Sequence, residues 1–311
     1  MEISVVIPVY NEEGNIKKLY DEIKKVISTI SKDYEIIFVN DGSTDNSLIE
    51  LKKLRNVKII DLNRNYGQST ALDAGFKESK GEIIVSLDGD GQNDPNDIPK
   101  LIKKLKEENL DVVAGYRKHR QDKFSIRVLT LLGRFLRKLL INDEVHDTGC
   151  TLRVYKKEAV KSLDIGGEMH RYILALLRWK GFKIGEIEVN HRPRLYGKTK
   201  YGYRKSIRGF IDLIYIWFIQ KYYQRPLHMF GYISIISFFM GIISFLESIY
   251  AKIFLNLSLN RNGWFFIGIF FMLTAFILFS FGIVIDLLLK IQLTNSPYEK
   301  RYYIKEIIKN E

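Results

Sequence analysis

Two carboxylates and an amide follow an apolar run in the first third of the chain: Asp88, Asp90 and Gln92. Residues two apart in an extended segment point to the same side, so both carboxylates can face one point. Like charges this close need a cation, and Mg²⁺ or Mn²⁺ prefers oxygen ligands that it shares with substrate phosphates. A bare Asp-x-Asp is usually a solvated turn. Its position after an apolar run favours a site for a metal ion and a diphosphate.

Two earlier polar clusters also follow apolar runs. Pro8-Val9-Tyr10-Asn11-Glu12 follows the first run, and Asn40-Asp41-Gly42-Ser43-Thr44-Asp45 follows the second. The structural alternative for Asp41 is an Asx-turn, with Ser43 or Thr44 capping the next helix, and this role can coexist with ligand binding. A dinucleotide-binding turn is disfavoured, because the first cluster lacks the G-x-G-x-x-G pattern.

The apolar runs are short and rich in Val and Ile, as expected for strands buried on both faces. Between them, Leu and Ile recur with a helical period and lysines occupy the opposite face. This alternation predicts an α/β fold with a doubly wound, mostly parallel sheet, in which ligands bind outside the carboxyl ends of the strands. The predicted strands are Ile3 to Pro8, Tyr34 to Asn40, Val57 to Asp61, Ile83 to Asp88, Asp111 to Tyr116, Thr151 to Tyr155 and Ile184 to Asn190.

The last third of the chain contains two long apolar stretches, Leu227 to Phe245 and Trp264 to Ile285, without a single charged residue. A membrane-spanning helix needs about 20 apolar residues, and both stretches reach that length. The alternative is a buried helical hairpin in a soluble protein, which two such long uncharged stretches disfavour. Gly202 to Tyr223 mixes basic and aromatic residues, and we expect it to lie along the membrane interface.

Basic residues are distributed unevenly around the two apolar stretches. Both outer flanks are rich in Lys and Arg, whereas the connecting loop has only Lys252 and Arg261. By the positive-inside rule, this predicts a multi-pass protein of the cytoplasmic membrane with both termini and the N-terminal domain in the cytosol. The lone Cys150 cannot form an intrachain disulfide, which agrees with a reducing compartment.

The net charge of +12 indicates an anionic partner. Nucleic acid is disfavoured, because the sequence has no zinc-finger spacing or aromatic RNA-binding signature and its basic residues gather beside apolar segments. One such segment, Phe124 to Ile141, interleaves Arg127, Arg134, Arg137 and Lys138 with leucines. It fits either a helix lying on a membrane or an ordinary surface helix.

The motifs together resemble the family-2 glycosyltransferases, and most closely the polyprenyl-phosphate group that contains dolichol-phosphate mannose synthases and undecaprenyl-phosphate glucosyltransferases. The resemblance covers essentially the whole chain. Its motifs are Val6-Ile7-Pro8-Val9-Tyr10-Asn11-Glu12, Val39-Asn40-Asp41-Gly42-Ser43-Thr44-Asp45, Leu87-Asp88-Gly89-Asp90-Gly91-Gln92-Asn93-Asp94-Pro95, Asp147-Thr148-Gly149-Cys150 and the basic stretch from His191 to Tyr201.

This resemblance implies a fold of the GT-A type and a role for each motif. Asp90, Asp147 and Arg117 would form the catalytic group, with Asp147 as an orienting residue. The residues implied at the nucleotide sugar are Pro8, Tyr10, Glu12, Asp41 and Asp88, and those implied at Mg²⁺ or Mn²⁺ are Asp88, Asp90 and Gln92. The residues implied at the lipid phosphate are Arg117, Arg127 or Arg134, Arg194, Lys198 and Lys200. For the last three, a basic patch that only touches lipid headgroups is the structural alternative.

The implied activity is the inverting, metal-dependent transfer of one sugar from a UDP- or GDP-linked donor to a polyprenyl phosphate. A processive polysaccharide synthase is disfavoured, because Ala175-Leu176-Leu177-Arg178-Trp179 lacks the Gln of the Gln-x-x-Arg-Trp motif and only two spans are predicted. A non-catalytic membrane scaffold is a further alternative, against which the intact acidic cluster argues. A homo-oligomer is compatible with the sequence. The expected organisation is a cytosolic catalytic domain (1–201), a juxtamembrane segment (202–225), a transmembrane hairpin (226–290) and a cytosolic tail (291–311).

Overall fold

The computed structural model describes residues 1–117, 133, 136–141, 145–193, 203–222, 225–295 and 304–310. The chain divides into two compact units. The first consists of residues 1–215 together with 300–311, and the second consists of residues 216–299.

The first unit is built on an eight-stranded mixed sheet with the strand order β7-β5-β6-β4-β1-β2-β3-β8. Parallel pairing joins β1 to β2 and β4, β2 to β3, and β5 to β7. β6 is antiparallel to both β4 and β5, and β8 is antiparallel to β3. The strands are β1 (Ile3–Val9), β2 (Tyr34–Asn40), β3 (Val57–Leu62), β4 (Ile83–Ser86), β5 (Val112–Tyr116), β6 (Arg153–Lys156), β7 (Ile184–Glu188) and β8 (Ile304–Asn310).

Helices connect these strands and cover the sheet. Those of the first unit are α1 (Ile16–Ile30), α2 (Ser47–Lys52), α3 (Gln68–Glu78), α4 (Ile98–Glu107), α5 (Lys157–Lys161) and α6 (Ile173–Trp179), with short 3₁₀ turns at Pro95–Asp97 and Met169–Tyr172. The apolar faces of α1, α2 and α4 form one continuous core with the sheet. α3 lies close against β1 and β2, where Gly75 leaves room for Val6 and Val39.

The predicted α/β class with a mostly parallel sheet is confirmed. The segment from Met169 to Trp179 begins as a 3₁₀ turn and becomes α-helical at Ile173. Strand β8, which the C-terminal tail contributes to the edge of the sheet beside β3, was not predicted from the sequence.

The second unit is dominated by two long antiparallel helices, α8 (Pro226–Phe254) and α9 (Gly263–Asn295). Small side chains of α8 face α9, where Ser234 and Ser237 donate hydrogen bonds to the carbonyl oxygens of Ala275 and Phe271. The other faces carry large exposed apolar side chains. Both helices are long and apolar enough to cross a membrane, which indicates membrane association.

The expected interfacial segment is also helical. Helix α7 (Tyr203–Tyr222) precedes the two apolar helices. Among its described side chains, Phe210, Ile211, Ile214 and Tyr215 are exposed. An exposed apolar face on a basic helix is typical of helices that lie in a membrane interface.

Candidate active site

The predicted functional groups of the described residues meet at one edge of the sheet. β1, β2, β4 and β5 run in the same direction, so their carboxyl ends share this edge. Tyr10, Asp41, Asp88 and Arg117 each follow one of these strands. Asp147 precedes β6, which runs the opposite way and therefore begins at the same edge.

Asp41 is almost fully buried and accepts two backbone hydrogen bonds from the loop before α3. The donors are the N–H groups of Tyr66, at 2.7 Å, and Gly67, at 2.9 Å. Burial raises the pKa of Asp41, and these two hydrogen bonds partly oppose the rise. Gly42, with a φ of 61°, lies so close to Arg64 that a Cβ would stand 2.3 Å from its carbonyl carbon. Only glycine fits there, so the backbone holds the Asp41 carboxylate against the next loop.

The loops after β1 and β2 are tied together by side chains. The side-chain oxygen of Asn11 accepts a hydrogen bond of 2.8 Å from the Thr44 N–H, and the Asn11 N–H donates to Ser43 Oγ at 3.1 Å. Asn11 has a φ of 57°, a left-handed conformation that Asn tolerates better than most residues. Tyr10 and Glu12, which flank Asn11, are therefore held beside the Asp41 loop.

The acidic turn after β4 is compact. Asp88 is half-buried, Asp90 is 8% exposed, and the Gln92 N–H donates to Asp90 Oδ1 at 3.1 Å. Gly89 separates the two carboxylates, and a Cβ at that position would stand 2.9 Å from the carbonyl oxygen of Pro8. The turn thus packs directly on the end of β1, which positions both acidic side chains.

Asp88 lies beside two polar side chains. Gln68, at the start of α3, donates from Nε2 to Asp88 Oδ1 at 2.6 Å, and the Thr151 hydroxyl lies near enough to lower the pKa of the carboxylate. Asn93 in turn donates to Thr151 Oγ1 at 2.9 Å. Burial, followed by the charge of Asp90, raises the pKa of Asp88 to about 6.

This turn fits a divalent cation. Asp88 and Asp90 stand two residues apart, and the charge of Asp90 raises the pKa of Asp88, so a cation bound between the two carboxylates would relieve their repulsion. The described residues contain no group of three or more His, Cys, Asp or Glu side chains arranged to hold a metal. Asp88, Asp90 and the Gln92 amide would therefore provide part of a coordination shell and leave positions for a diphosphate.

Two arginine side chains form a basic cluster at the turn before β6. Arg117 binds Asp147 through two contacts, Nε to Oδ2 at 2.6 Å and Nη2 to Oδ1 at 3.0 Å. The Arg137 Nη1 donates a hydrogen bond to the hydroxyl of Thr148, which follows Asp147 in the chain. Two guanidinium groups thus converge on one turn, an arrangement suited to a phosphate. The charge of Arg117 also lowers the pKa of Asp88, so the basic and acidic groups act on each other.

Arg137 was not predicted to bind the lipid phosphate; that role was assigned to Arg127 or Arg134 of the same amphipathic segment. Arg127 and Arg134 lie outside the described residues, as do Arg194, Lys198 and Lys200. Residues 136–141 are helical, and helical periodicity alone does not reveal which basic side chain faces the turn. Gln68 and Thr151 were missed because nothing in their local sequence marks them as partners of Asp88.

The sheet topology and the acidic turn at its carboxyl edge define a glycosyltransferase domain of the GT-A type. Residues 4–164 match the glycosyl transferase family 2 domain, and the chain belongs to this family. Its fold is similar to that of glucosyl-3-phosphoglycerate synthase from Mycobacterium tuberculosis, solved in complex with Mn²⁺, UDP and glucosyl-3-phosphoglycerate. The TM-score is 0.56 with 21% identity over 70% of this chain and 79% of that chain.

Two curated relatives are similar in sequence. Dodecaprenyl-phosphate galacturonate synthase from Rhizobium johnstonii is 30% identical over 93% of this chain and 88% of the relative. Undecaprenyl-phosphate 4-deoxy-4-formamido-L-arabinose transferase from Shewanella sediminis is 38% identical over 68% of this chain and 65% of the relative. The predicted family and its enzymatic nature as a glycosyltransferase are therefore confirmed.

Proposed function

We propose that this glycosyltransferase moves a single sugar from a UDP- or GDP-linked donor to the phosphate of a polyprenyl lipid, with a divalent ion and with inversion at the anomeric carbon. The observation that carries the proposal is the meeting of the acidic turn Asp88–Asp90 and the Arg117–Asp147 pair at one sheet edge. One group suits a metal-bound diphosphate, and the other suits a second phosphate. The names of the two curated relatives support a polyprenyl phosphate as acceptor.

The donor binds along the loops after β1, β2 and β4. Asp41, together with Pro8, Tyr10 and Glu12, holds the nucleoside, while Asp88, Asp90 and Gln92 would hold Mg²⁺ or Mn²⁺. The bound ion would neutralise negative charge on the departing nucleoside diphosphate. Gln68 keeps the Asp88 carboxylate in place through its hydrogen bond.

The acceptor phosphate binds at Arg117 and Arg137, with Arg127 or Arg134, Arg194, Lys198 and Lys200 as further basic partners. A phosphate oxygen forms a bond to the anomeric carbon, and the bond from that carbon to the diphosphate oxygen breaks with its electron pair. A phosphate monoester is mostly dianionic at neutral pH, since its second pKa is about 6. Asp147 therefore has no proton to remove, and it orients Arg117 instead.

The membrane supplies the lipid acceptor. We place both termini and the catalytic unit on the cytosolic side, with α8 and α9 as two spans. This proposal is supported by β8, which follows α9 in the chain and pairs with β3 in the sheet of the catalytic unit. A chain that crosses a bilayer twice must return to the side on which it began.

The test is to incubate the full-length purified protein with a panel of UDP- and GDP-sugars, undecaprenyl or dolichyl phosphate, and Mn²⁺. We expect a lipid phosphate that has gained one sugar residue by mass, with inverted anomeric configuration by NMR, and no product with EDTA. Asp90→Ala should abolish transfer while the protein stays folded, and Asp111→Asn, at the opposite end of β5, is the matched control. A polymeric product would favour a processive synthase, and the absence of metal-dependent donor binding would favour a scaffold.

A further inference from the structure

Arg153 opens β6 at the point where the donor and acceptor sides of the site meet. Its side chain is among the largest fully buried ones, with 2% exposure. In the sheet it pairs with Ser86 of β4 and with Ala114 of β5. β4 leads to Asp88, and β5 leads to Arg117. Arg153 is thus flanked by the strand that carries the acidic turn and the strand that carries the basic cluster.

The guanidinium of Arg153 donates to three carbonyl oxygens in two separate chain segments. Nε bonds to Cys150 at 2.9 Å and Nη2 to Thr148 at 3.0 Å, both in the turn before β6. Nη1 bonds to His170 at 3.2 Å, in the 3₁₀ turn Met169–Tyr172. A planar guanidinium can hold several acceptors in a fixed arrangement, which a lysine ammonium cannot reproduce.

Each of these segments leads to one half of the site. On the acceptor side, Thr148 follows Asp147, whose carboxylate holds Arg117. On the donor side, the His170 N–H donates to Ser69 Oγ at 2.9 Å, and the His170 Nδ1 lies 2.8 Å from the same oxygen. Ser69 adjoins Gln68, which donates to Asp88. The contacts of Arg153 therefore connect the lipid-phosphate side to the acidic turn.

Among the described residues, no carboxylate forms an ion pair with the buried guanidinium of Arg153. Its hydrogen bonds in the described structure go to neutral carbonyl groups. A buried charge without a paired counter-charge is costly, and an apolar side chain would fill the same space in a strand at lower cost. The charge lies beside the site, because Ser86, the residue paired with Arg153 in β4, comes two residues before Asp88.

We propose that Arg153 is a positioning residue for the transfer reaction. Its guanidinium holds the turns Asp147–Cys150 and Met169–Tyr172 at a fixed distance and orientation. Its positive charge offsets part of the negative charge at the acidic turn, including that of the donor diphosphate. The inference rests on the proposed function. The planar fork of N–H donors in the guanidinium and its positive charge make two separate contributions, which substitutions can test individually.

Arg153→Lys keeps the charge and loses the fork. We expect the Kd of the nucleotide–Mn²⁺ complex to stay within about threefold of wild type, while kcat/KM for undecaprenyl phosphate falls by about tenfold or more. Arg153→Met loses both features, so the Kd for nucleotide–Mn²⁺ should also rise by about tenfold. Nucleotide binding is measured by calorimetry on the full-length protein in detergent, and rates are expressed per folded molecule.

Lys58→Met is the matched control, because Lys58 is another buried cation of the same sheet, paired with Glu78 and near the start of β3. It should lower the Tm without changing either constant. Wild-type kcat/KM for the lipid in Arg153→Lys, or wild-type nucleotide affinity in Arg153→Met, would overturn the inference. So would misfolding of both Arg153 variants when Lys58→Met folds, because the role would then be structural. A wild-type protein that makes no lipid-linked sugar would overturn the proposed function itself.

Discussion

Arg117 and Asp147 form a two-point ion pair in which both carboxylate oxygens are occupied. Besides the guanidinium contacts at 2.6 and 3.0 Å, the Gly149 N–H donates to Oδ1 at 3.1 Å. A proton on Asp147 would disrupt at least one of these contacts, and the guanidinium stabilises the ionised form. The pair therefore suits a fixed orienting device better than a general base.

The first prediction concerns Asp147→Asn. The amide keeps one acceptor oxygen and loses the charge that holds Arg117, so kcat/KM for the lipid phosphate should fall about 10- to 100-fold. Because no proton transfer to Asp147 is required, the pH dependence of kcat/KM between pH 6 and 9 should keep its shape. Steady-state kinetics over that range are the measurement. If the fall of kcat/KM at low pH disappears only in Asp147→Asn, the result would show that Asp147 acts as a general base.

The second prediction concerns the donor. Asp41→Asn removes a buried charge that accepts two backbone hydrogen bonds, so KM for the nucleotide sugar should rise about tenfold or more, while kcat changes little. Asp33→Asn is the control, because this exposed aspartate precedes β2 at the opposite edge of the sheet. An equal rise of KM in both variants would show that Asp41 has no specific role in nucleotide binding.

The sheet and the location of the site could be predicted from sequence because they depend on local patterns. Short Val- and Ile-rich runs indicate buried strands, and polar residues directly after parallel strands must share an edge. Asp41, Asp88 and Arg117 meet this condition, and the structure brings all three to that edge. No information beyond strand order and direction was needed.

The remaining features depend on contacts between distant segments. Arg153 lies between Leu152 and Val154 in a predicted strand, and this charged residue in an apolar run was the one available signal of its burial. The position of Arg137 depends on the rotation of its helix. β8 mixes isoleucine with lysine and glutamate in a charged tail, and its pairing with β3 spans most of the chain. Sequence periodicity does not reveal such pairings.

The third prediction concerns pH. Burial and Asp90 raise the pKa of Asp88 from 3.8 to about 6. Between these values the folded, metal-free protein holds a proton that the unfolded chain has released, so stability falls as pH rises through this window. Replacing Asp88 with Asn should remove this contribution. The measurement is the Tm of EDTA-treated wild type against Asp88→Asn at pH 4.5 and 6.5.

Metal binding should show the complementary dependence. A cation competes with the proton on Asp88, so Mn²⁺ affinity should rise as pH increases toward about 6 and level off above it. Calorimetric titration with Mn²⁺ in two buffers of different ionisation enthalpy would detect the released proton. An affinity that is constant from pH 5 to 7 would argue against Asp88 as a ligand.

The fourth prediction concerns β8, which covers the edge of β3 from Val57 to Leu62. Ending the chain after Tyr303 would leave that edge unpaired, a common cause of aggregation. Each cross-strand pair contributes about 0.2–1 kcal/mol, so the loss should be on the order of 1–5 kcal/mol. The Tm of the catalytic unit should fall by several degrees, while kcat per folded molecule should change little because β3 is separated from β4 by two strands.

Removal of Glu311 alone is the control for this truncation, because it leaves β8 complete. The two proteins would be compared by thermal unfolding and by size-exclusion chromatography in the same detergent. β8 follows the second apolar helix in the chain and belongs to the same unit as β3. An unchanged Tm after loss of residues 304–311 would mean that the pairing contributes nothing to the stability of the catalytic unit, and would remove the structural support for both ends of the hairpin lying on one side of the membrane.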